Sequence, residues 1–439
     1  MSEPAASART VPPSTDAVPQ RGVRPARGDL LALFRLPPDV YAVMAITVAS
    51  SFANGAVLPI QSAIRGDLNL SYAALGAIIA AFAIARTVFD LPGGAIADRY
   101  APRPVFYVAG VMAVMGVLLT ALAPAFTLLL AGRLINGVGA ILGSLAATVY
   151  VARRTPPADR GRALGAMTAA SLLGGFLSPV MVGALASWIG WRAGIGLVAL
   201  PALAALLVVK LGVRARAPAP AAAPDDGRTG RRFFYAPQAL LLVNIMGVTV
   251  SIGTFGMKST VLPLYGSDAL GLAPAMVGLA ISLGSALGFP LSIATGALSD
   301  RWGRPAVFVP SALLIGTLGL VINLAAAAPA YFAIALGFSF DGSAAAMVRA
   351  MVVDRASPAR LGAALGTSAF FRDLTMSCIP LAMGALISTW GFWGAGLAIA
   401  LGAFVAALVC LRLGDTSPRR RTAGASPAAP STSVAEVNA

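Results

Sequence analysis

The sequence predicts an all-α membrane protein whose twelve transmembrane helices form two pseudo-symmetric six-helix bundles, and three observations predict it. Of 439 residues, 58% are hydrophobic and only 11% charged, with a mean hydropathy of +0.82; a soluble domain carries about 25% charged residues. The apolar residues gather into runs of about 20, the length that crosses a bilayer as a helix with every backbone amide satisfied internally. The second half of the chain also repeats the first: GAIADRYAPRP at Gly94 returns as GALSDRWGRP at Gly296, and VLPI at Val57 returns as VLPL at Val261.

The apolar runs fall at 40–63, 71–96, 104–123, 127–151, 163–188 and 193–213, then at 238–264, 273–298, 305–325, 329–352, 362–388 and 392–412. An even number of spans puts both chain ends on one side. Of the 32 Lys and Arg residues, 26 lie in the tails, loops and helix ends on that side, two (Arg65, Arg192) lie on the other, and four lie deeper within spans. The positive-inside rule then makes both termini cytoplasmic, in a multi-pass protein of a cell (inner) membrane. Residues 1–38 and 414–439 read as disordered cytoplasmic tails. The Pro-, Ala- and charge-rich stretch 214–237 reads as a linker between bundles at 39–213 and 238–413. A duplicated six-span unit implies a site at the interface of the two halves, near mid-membrane, reached by rocking of one bundle against the other.

Composition also excludes chemistry. There is no histidine, the two cysteines (Cys378, Cys410) lie inside apolar runs, and the glutamates are Glu3 and Glu436 in the tails. Metal-ligand sets and nucleophile–base pairs built on these residues are therefore missing, and neither an enzyme, a metal nor a cofactor is expected. The net charge of +15 resides in short loops between apolar runs, so nucleic acid is not an expected partner. The expected partners are a small-molecule substrate, the proton and the lipid bilayer, with the chain as a monomer.

Residues Gly94, Asp98, Arg99 and Arg103 match the G-x-x-x-D-R-x-G-R-R loop of the major facilitator superfamily, and the whole chain resembles that family. Ala101 and Pro102 replace a Gly and an Arg of the pattern, which thins the charge network of the loop. The second copy keeps Gly296, Asp300, Arg301, Gly303 and Arg304. The resemblance implies a latch in which Asp98 faces the start of the eleventh span, at Leu361 and Gly362, and Asp300 faces Gly161 and Gly165. A carboxylate suits a helix N-terminus, where the dipole is positive.

In span four, Leu129, Arg133, Asn136, Gly137, Gly139 and Ala140 resemble the family pattern associated with proton coupling; Arg133 could instead snorkel to the external interface. In span five, Gly165, Gly174, Pro179 and Gly183 resemble the antiporter signature, with Ser178 and Val182 in place of two glycines. That match implies a helix that packs closely and seals the cavity, and favours efflux over uptake.

Charges inside lipid-spanning segments are costly and mark function by default. Besides Arg133 they are Arg86, Asp90, Lys258, Asp341, Arg372 and Asp373. Arg86 and Asp90, four residues apart, can pair within their own helix. Asp341, mid-span between Ser339 and Gly342, is the leading proton carrier; its alternative is a static pair with Lys258 or Arg372. Arg372 and Asp373 are adjacent, point about 100° apart and need different partners. The expected coupling residues are Asp341, Arg133 and Asp373. By family analogy Asn54, Gln61, Asn136, Asn244, Thr254, Lys258, Ser339, Arg372 and Arg86 line the substrate cavity, though several could equally make interhelical hydrogen bonds.

The expected function is alternating-access, proton-coupled efflux of a small amphipathic drug or metabolite. The alternatives are proton-symport import of an organic anion and a non-transporting sensor or scaffold of the same fold.

Overall fold

The structure is a computed structural model that describes residues 36–156, 159–213, 237–357 and 360–415. The expected linker and most of both expected tails lie outside these residues.

Ten helices run α1 (Pro38–Leu68), α2 (Tyr72–Arg99), α3 (Pro102–Ala121), α4 (Phe126–Arg154), α5 (Arg160–Ile189), α6 (Trp191–Gly212), α7 (Gln238–Ala269), α8 (Pro274–Trp302), α9 (Arg304–Leu324) and α10 (Ala328–Arg355). Five of them, α1, α3, α8, α9 and α10, open with Pro in the first turn, where its missing N–H costs nothing and its fixed φ suits the helix. The last helical stretch, Leu361–Leu413, holds 53 residues, about 80 Å of helix against a hydrocarbon core of about 30 Å. Gly391, at φ +66°, breaks it into α11 (361–390) and α12 (392–413), a reversal that a side chain would strain. Trp188, Trp390 and Trp393 are exposed at one set of helix ends and Trp302 at the other, the positions of interfacial aromatic belts.

The path of the chain fixes which ends share a face. The Ala73 amide at the start of α2 donates to the Ser388 hydroxyl near the end of α11, and the hydroxyls of Thr87 and Ser377 bond further along the same two helices. The helices α2 and α11 are therefore antiparallel neighbours, and α12 returns to the face where α1 begins. This is called the terminal face below.

Two seams join the bundles on the half away from the terminal face: α2 against α11, and α5 against α8. Their contacts repeat. Ser388 caps the N-terminus of α2 and Ser187 caps that of α8 through the Ala275 amide. A Cβ at Gly76 or Gly384 would land on the carbonyl oxygen of Pro380 or Tyr72, and one at Gly278 or Gly183 on that of Pro179 or Pro274. The small residues let backbones touch, as in close-packed membrane helices. Ser282 adds a tie of its own: its hydroxyl donates to the Phe176 carbonyl and accepts from the Val180 amide, standing inside the hydrogen-bond ladder of α5 beside Pro179, an origin of kinks.

Toward the terminal face the seams part. Gly94, Gly161, Gly165, Gly296 and Gly366 border open space, and Val88, Phe89, Leu172, Phe289 and Ile293 are exposed. The molecule is closed on the opposite face and open on the terminal face.

Candidate substrate cavity

Just below the closed seams lies a cavity of about 420 Å³ lined by both bundles. Asn54, Arg133, Thr254, Lys258 and Asp341 supply much of its polar wall, and Ile79, Phe82, Phe255 and Met376 part of its apolar wall. A few convergent polar groups in an apolar surround are the usual make-up of a small-molecule site.

The two helices that carry its central ion pair both leave regular α geometry there. Lys258 sits in a π-helical turn, Met257–Val261, of α7, and Asp341 follows a 3-10 turn, Phe338–Phe340, in α10. The Lys258 Nζ lies 2.8 Å from Asp341 Oδ2 and donates to Oδ1 at 2.9 Å; the Gly342 amide donates to Oδ1 at 2.6 Å. The carboxylate is buried while the ammonium is a quarter exposed. Of the partners open to Asp341 from the sequence, this structure pairs it with Lys258.

Arg133 faces the pair from the other bundle. It is 3% exposed, with its guanidinium 4.7 Å from the centroid of the Phe82 ring, and its Nε makes no hydrogen bond. No carboxylate pairs with it among the described residues. It does not snorkel to the interface; it turns inward, because the ring face offers a cation–π contact within the bundle. One unpaired cation and one neutralised pair leave the cavity with a net charge of +1.

Other expected cavity residues lie elsewhere. Asn136 is buried and donates to the Ala113 carbonyl on α3, and Ser339 donates to the Gly284 carbonyl on α8, so both act here as interhelical bonds. Asn244 and Arg372 line a different, smaller pocket. Gln61 donates to the Ser259 carbonyl across the bundles at 2.8 Å. Arg86, Asp90, Arg372 and Asp373 form one electrostatic cluster where α2 and α11 diverge. Arg372 and Asp373 do not take separate partners as expected: the guanidinium folds back onto its neighbour's carboxylate at 2.9 Å, within reach of so long a side chain.

The loop motifs are disengaged from the opposite bundle. Asp98 pairs with Arg153 on α4 at 2.8 Å, and Asp300 with Arg304 at 2.7 Å, which also reaches Asp354 at 3.1 Å. Arg103 donates to the Lys210 carbonyl, while Arg99 and Arg301 make no ion pair among the described residues. The expected neighbours Gly161 and Gly165 border open space, since this face is open. In α5, Gly174 packs on the Val48 carbonyl of α1, and Pro179 and Gly183 on α8.

The sequence reading missed the closure on the opposite face. Arg65 of α1 pairs with Asp268 of α7 at 3.1 Å and lies over the Tyr72 ring at 4.7 Å. Phe392 packs edge-on against both Tyr72 and Tyr265. These residues sit at span ends, where sequence alone reads them as interfacial anchors.

A twelve-helix membrane fold with a central cavity lined by both bundles is the architecture of a secondary transporter. Residues 43–374 match the Major Facilitator Superfamily, and the chain belongs to that family. It is 27% identical to a hexuronate transporter of Bacillus subtilis over 80% of its own length and 87% of the relative's. It is also 27% identical to the class G tetracycline resistance protein of Vibrio anguillarum, over 76% and 86%. A bacterial homologue of the human lysosomal transporter Spinster, solved inward-facing and occupied, superposes with a TM-score of 0.68 at 16% identity, over 85% of this chain and 96% of that one.

Proposed function

We propose that the chain is a proton-coupled transporter that carries a small organic anion by alternating access, with the terminal face cytoplasmic and the structure in its inward-open state. The observation that carries the anion is Arg133, a buried cation without a carboxylate partner among the described residues, facing the Lys258–Asp341 pair across a cavity that both bundles line.

Coupling follows from charge. At 2.8 Å the pair's gross attraction is about 6 kcal/mol at an effective dielectric of about 20, so Lys258 stays bound while Asp341 is ionised. A proton on Asp341 removes that hold and raises the cavity from +1 to +2. Lys258 and Arg133 then grip a carboxylate between the bundles, with charge-assisted hydrogen bonds from both sides. Proton and anion thus favour each other's binding, which is the thermodynamic requirement of symport; exchange requires that they compete. With an inward proton gradient this gives uptake, and the hexuronate relative accords with it.

A second reading, efflux of an amphipathic drug or metabolite, draws on the tight α5–α8 seam around Pro179 and Gly183, the apolar cavity wall and the tetracycline-resistance relative.

Proteoliposomes under an imposed pH gradient separate the two. Symport predicts that an inward proton gradient drives accumulation of a labelled organic anion, with glucuronate and succinate as first probes. Expulsion of internal substrate by that gradient would instead establish exchange.

A further inference from the structure

One helical turn from the central cavity toward the terminal face, α7, α10 and α11 enclose a second pocket of about 80 Å³. Ser251, Ala345 and Arg372 line it, where Phe255, Asp341 and Met376 line the cavity above. A four-residue step on each helix keeps one face and moves about 6 Å along the axis. The two spaces are therefore stacked along the same three helices, on the side of the molecule that is open.

The small pocket is unbalanced in charge. Two guanidinium groups, Arg349 and Arg372, line it and act on each other as like charges. Arg372 has Asp373 at 2.9 Å, but Arg349 has no carboxylate partner among the described residues. Asn244 on the same wall is 3% exposed, and its Oδ1 makes no hydrogen bond. An oxygen buried without a donor costs about 1–3 kcal/mol, and the two ends of the amide exchange by a simple flip. Among the described residues the pocket thus holds an arginine without a carboxylate, exposed on the open side, and a buried amide oxygen without a donor.

We infer that this pocket is a second anion-binding site, in which a carboxylate or phosphate group sits between Arg349 and Arg372 and accepts a hydrogen bond from Asn244. Its volume is far below the roughly 300–1,000 Å³ that encloses a whole drug-sized ligand, so it takes the charged group alone while the rest of the molecule extends into the open vestibule. Guanidinium groups suit this because each offers two parallel donors to an oxyanion. Its use as a staging point for the transported anion rests on the function proposed above; the binding itself does not.

The test uses the purified full-length protein in neutral detergent. Calorimetry with succinate and inorganic phosphate counts the sites, and native mass spectrometry measures retention of phosphatidylglycerol against phosphatidylcholine. Wild type is expected to bind two small anions. Arg349→Gln weakens one site at least about tenfold, Arg349→Lys retains much of it, and Arg133→Gln removes only the other. Ser368→Asp supplies the missing carboxylate internally, so it raises thermal stability and abolishes the same site; this variant decides the matter should Arg349→Gln fold poorly. Retention of phosphatidylglycerol that depends on Arg349, without binding of succinate or phosphate, keeps the site but makes its ligand a lipid headgroup and ends the staging role. Unchanged binding of every probe in Arg349→Gln, or persistence of the site in Ser368→Asp, overturns the inference. Loss of anion binding in Arg349→Gln alone, with Arg133→Gln inert, leaves this site standing and removes the central one.

Discussion

At the scale of single residues, a buried pair of opposite charges is cheap to keep and costly to break from one side. Removing Lys258 leaves Asp341 buried against an ordered amide, a change that costs about 3–5 kcal/mol in a typical buried pair. Lys258→Met is therefore expected to lower the melting temperature, and Lys258→Met combined with Asp341→Leu to restore most of it without restoring transport. A double variant as unstable as the single one would mean that the loss does not come from the orphaned Asp341 carboxylate. Asp341→Asn is the functional counterpart: pH-driven accumulation falls to background while exchange of labelled for unlabelled anion persists. Full pH-driven transport in that variant would remove Asp341 from the coupling step. Arg133, Lys258 and Asp341 were all visible in the sequence because a lone charge in an apolar run stands out. Which of them pair was not, since a rotation of one residue, about 100°, moves a side chain to a different neighbour. Arg349 does not stand out in the sequence for a related reason: it lies six residues before the end of α10, where a basic residue reads as a helix-end charge, whereas its helix carries it into a pocket wall.

At the scale of helices, the seams hold the opposite face shut by backbone contact, with no space for a side chain. Gly278 rests on the Pro179 carbonyl and Gly183 on that of Pro274. Gly278→Val is thus expected to force α5 and α8 apart without disturbing either bundle, and to shift the population toward the state open on the opposite face. Labelling from that face of a single thiol, Asn54→Cys in a Cys378→Ser, Cys410→Ser background, should speed up at least about tenfold, equivalent to a shift of about 1.4 kcal/mol between the states. Unchanged labelling in a folded variant would show that the seam does not control access. Asp268→Asn, which removes the partner of Arg65 across the same mouth, should move labelling in the same direction. The glycine spacing of α5 was readable in the sequence. Its partners on α8 were not, because a small residue says that something approaches closely but not what.

At the scale of the whole molecule, the repeat seen as two short motifs extends to the side chains that join the bundles. Ser187 and Ser388 cap the partner helices α8 and α2, and the Gly–carbonyl contacts recur in both seams, so the two seams are built alike and can part together as one motion. The terminal face must then close as the opposite face opens, and its loops carry the groups to do so: Asp98 and Asp300, now paired within their own bundles, are free to exchange Arg153 and Arg304 for the helix starts across the vestibule. The proposed symport adds a condition on when this happens. A carrier that switched with only the proton or only the anion aboard would leak its gradient, so the empty and doubly loaded forms alone should cross. Spin labels at Gly94→Cys and Gly366→Cys in a Cys378→Ser, Cys410→Ser background, both bordering open space on the terminal face, report this as a distance. The distribution should stay long with acid alone or anion alone at neutral pH, and gain a shorter component only when both are supplied. In Asp341→Asn, whose side chain resembles the protonated acid, anion alone should suffice. A short component produced by acid without anion would mean that protonation drives the switch by itself, which is incompatible with tightly coupled symport.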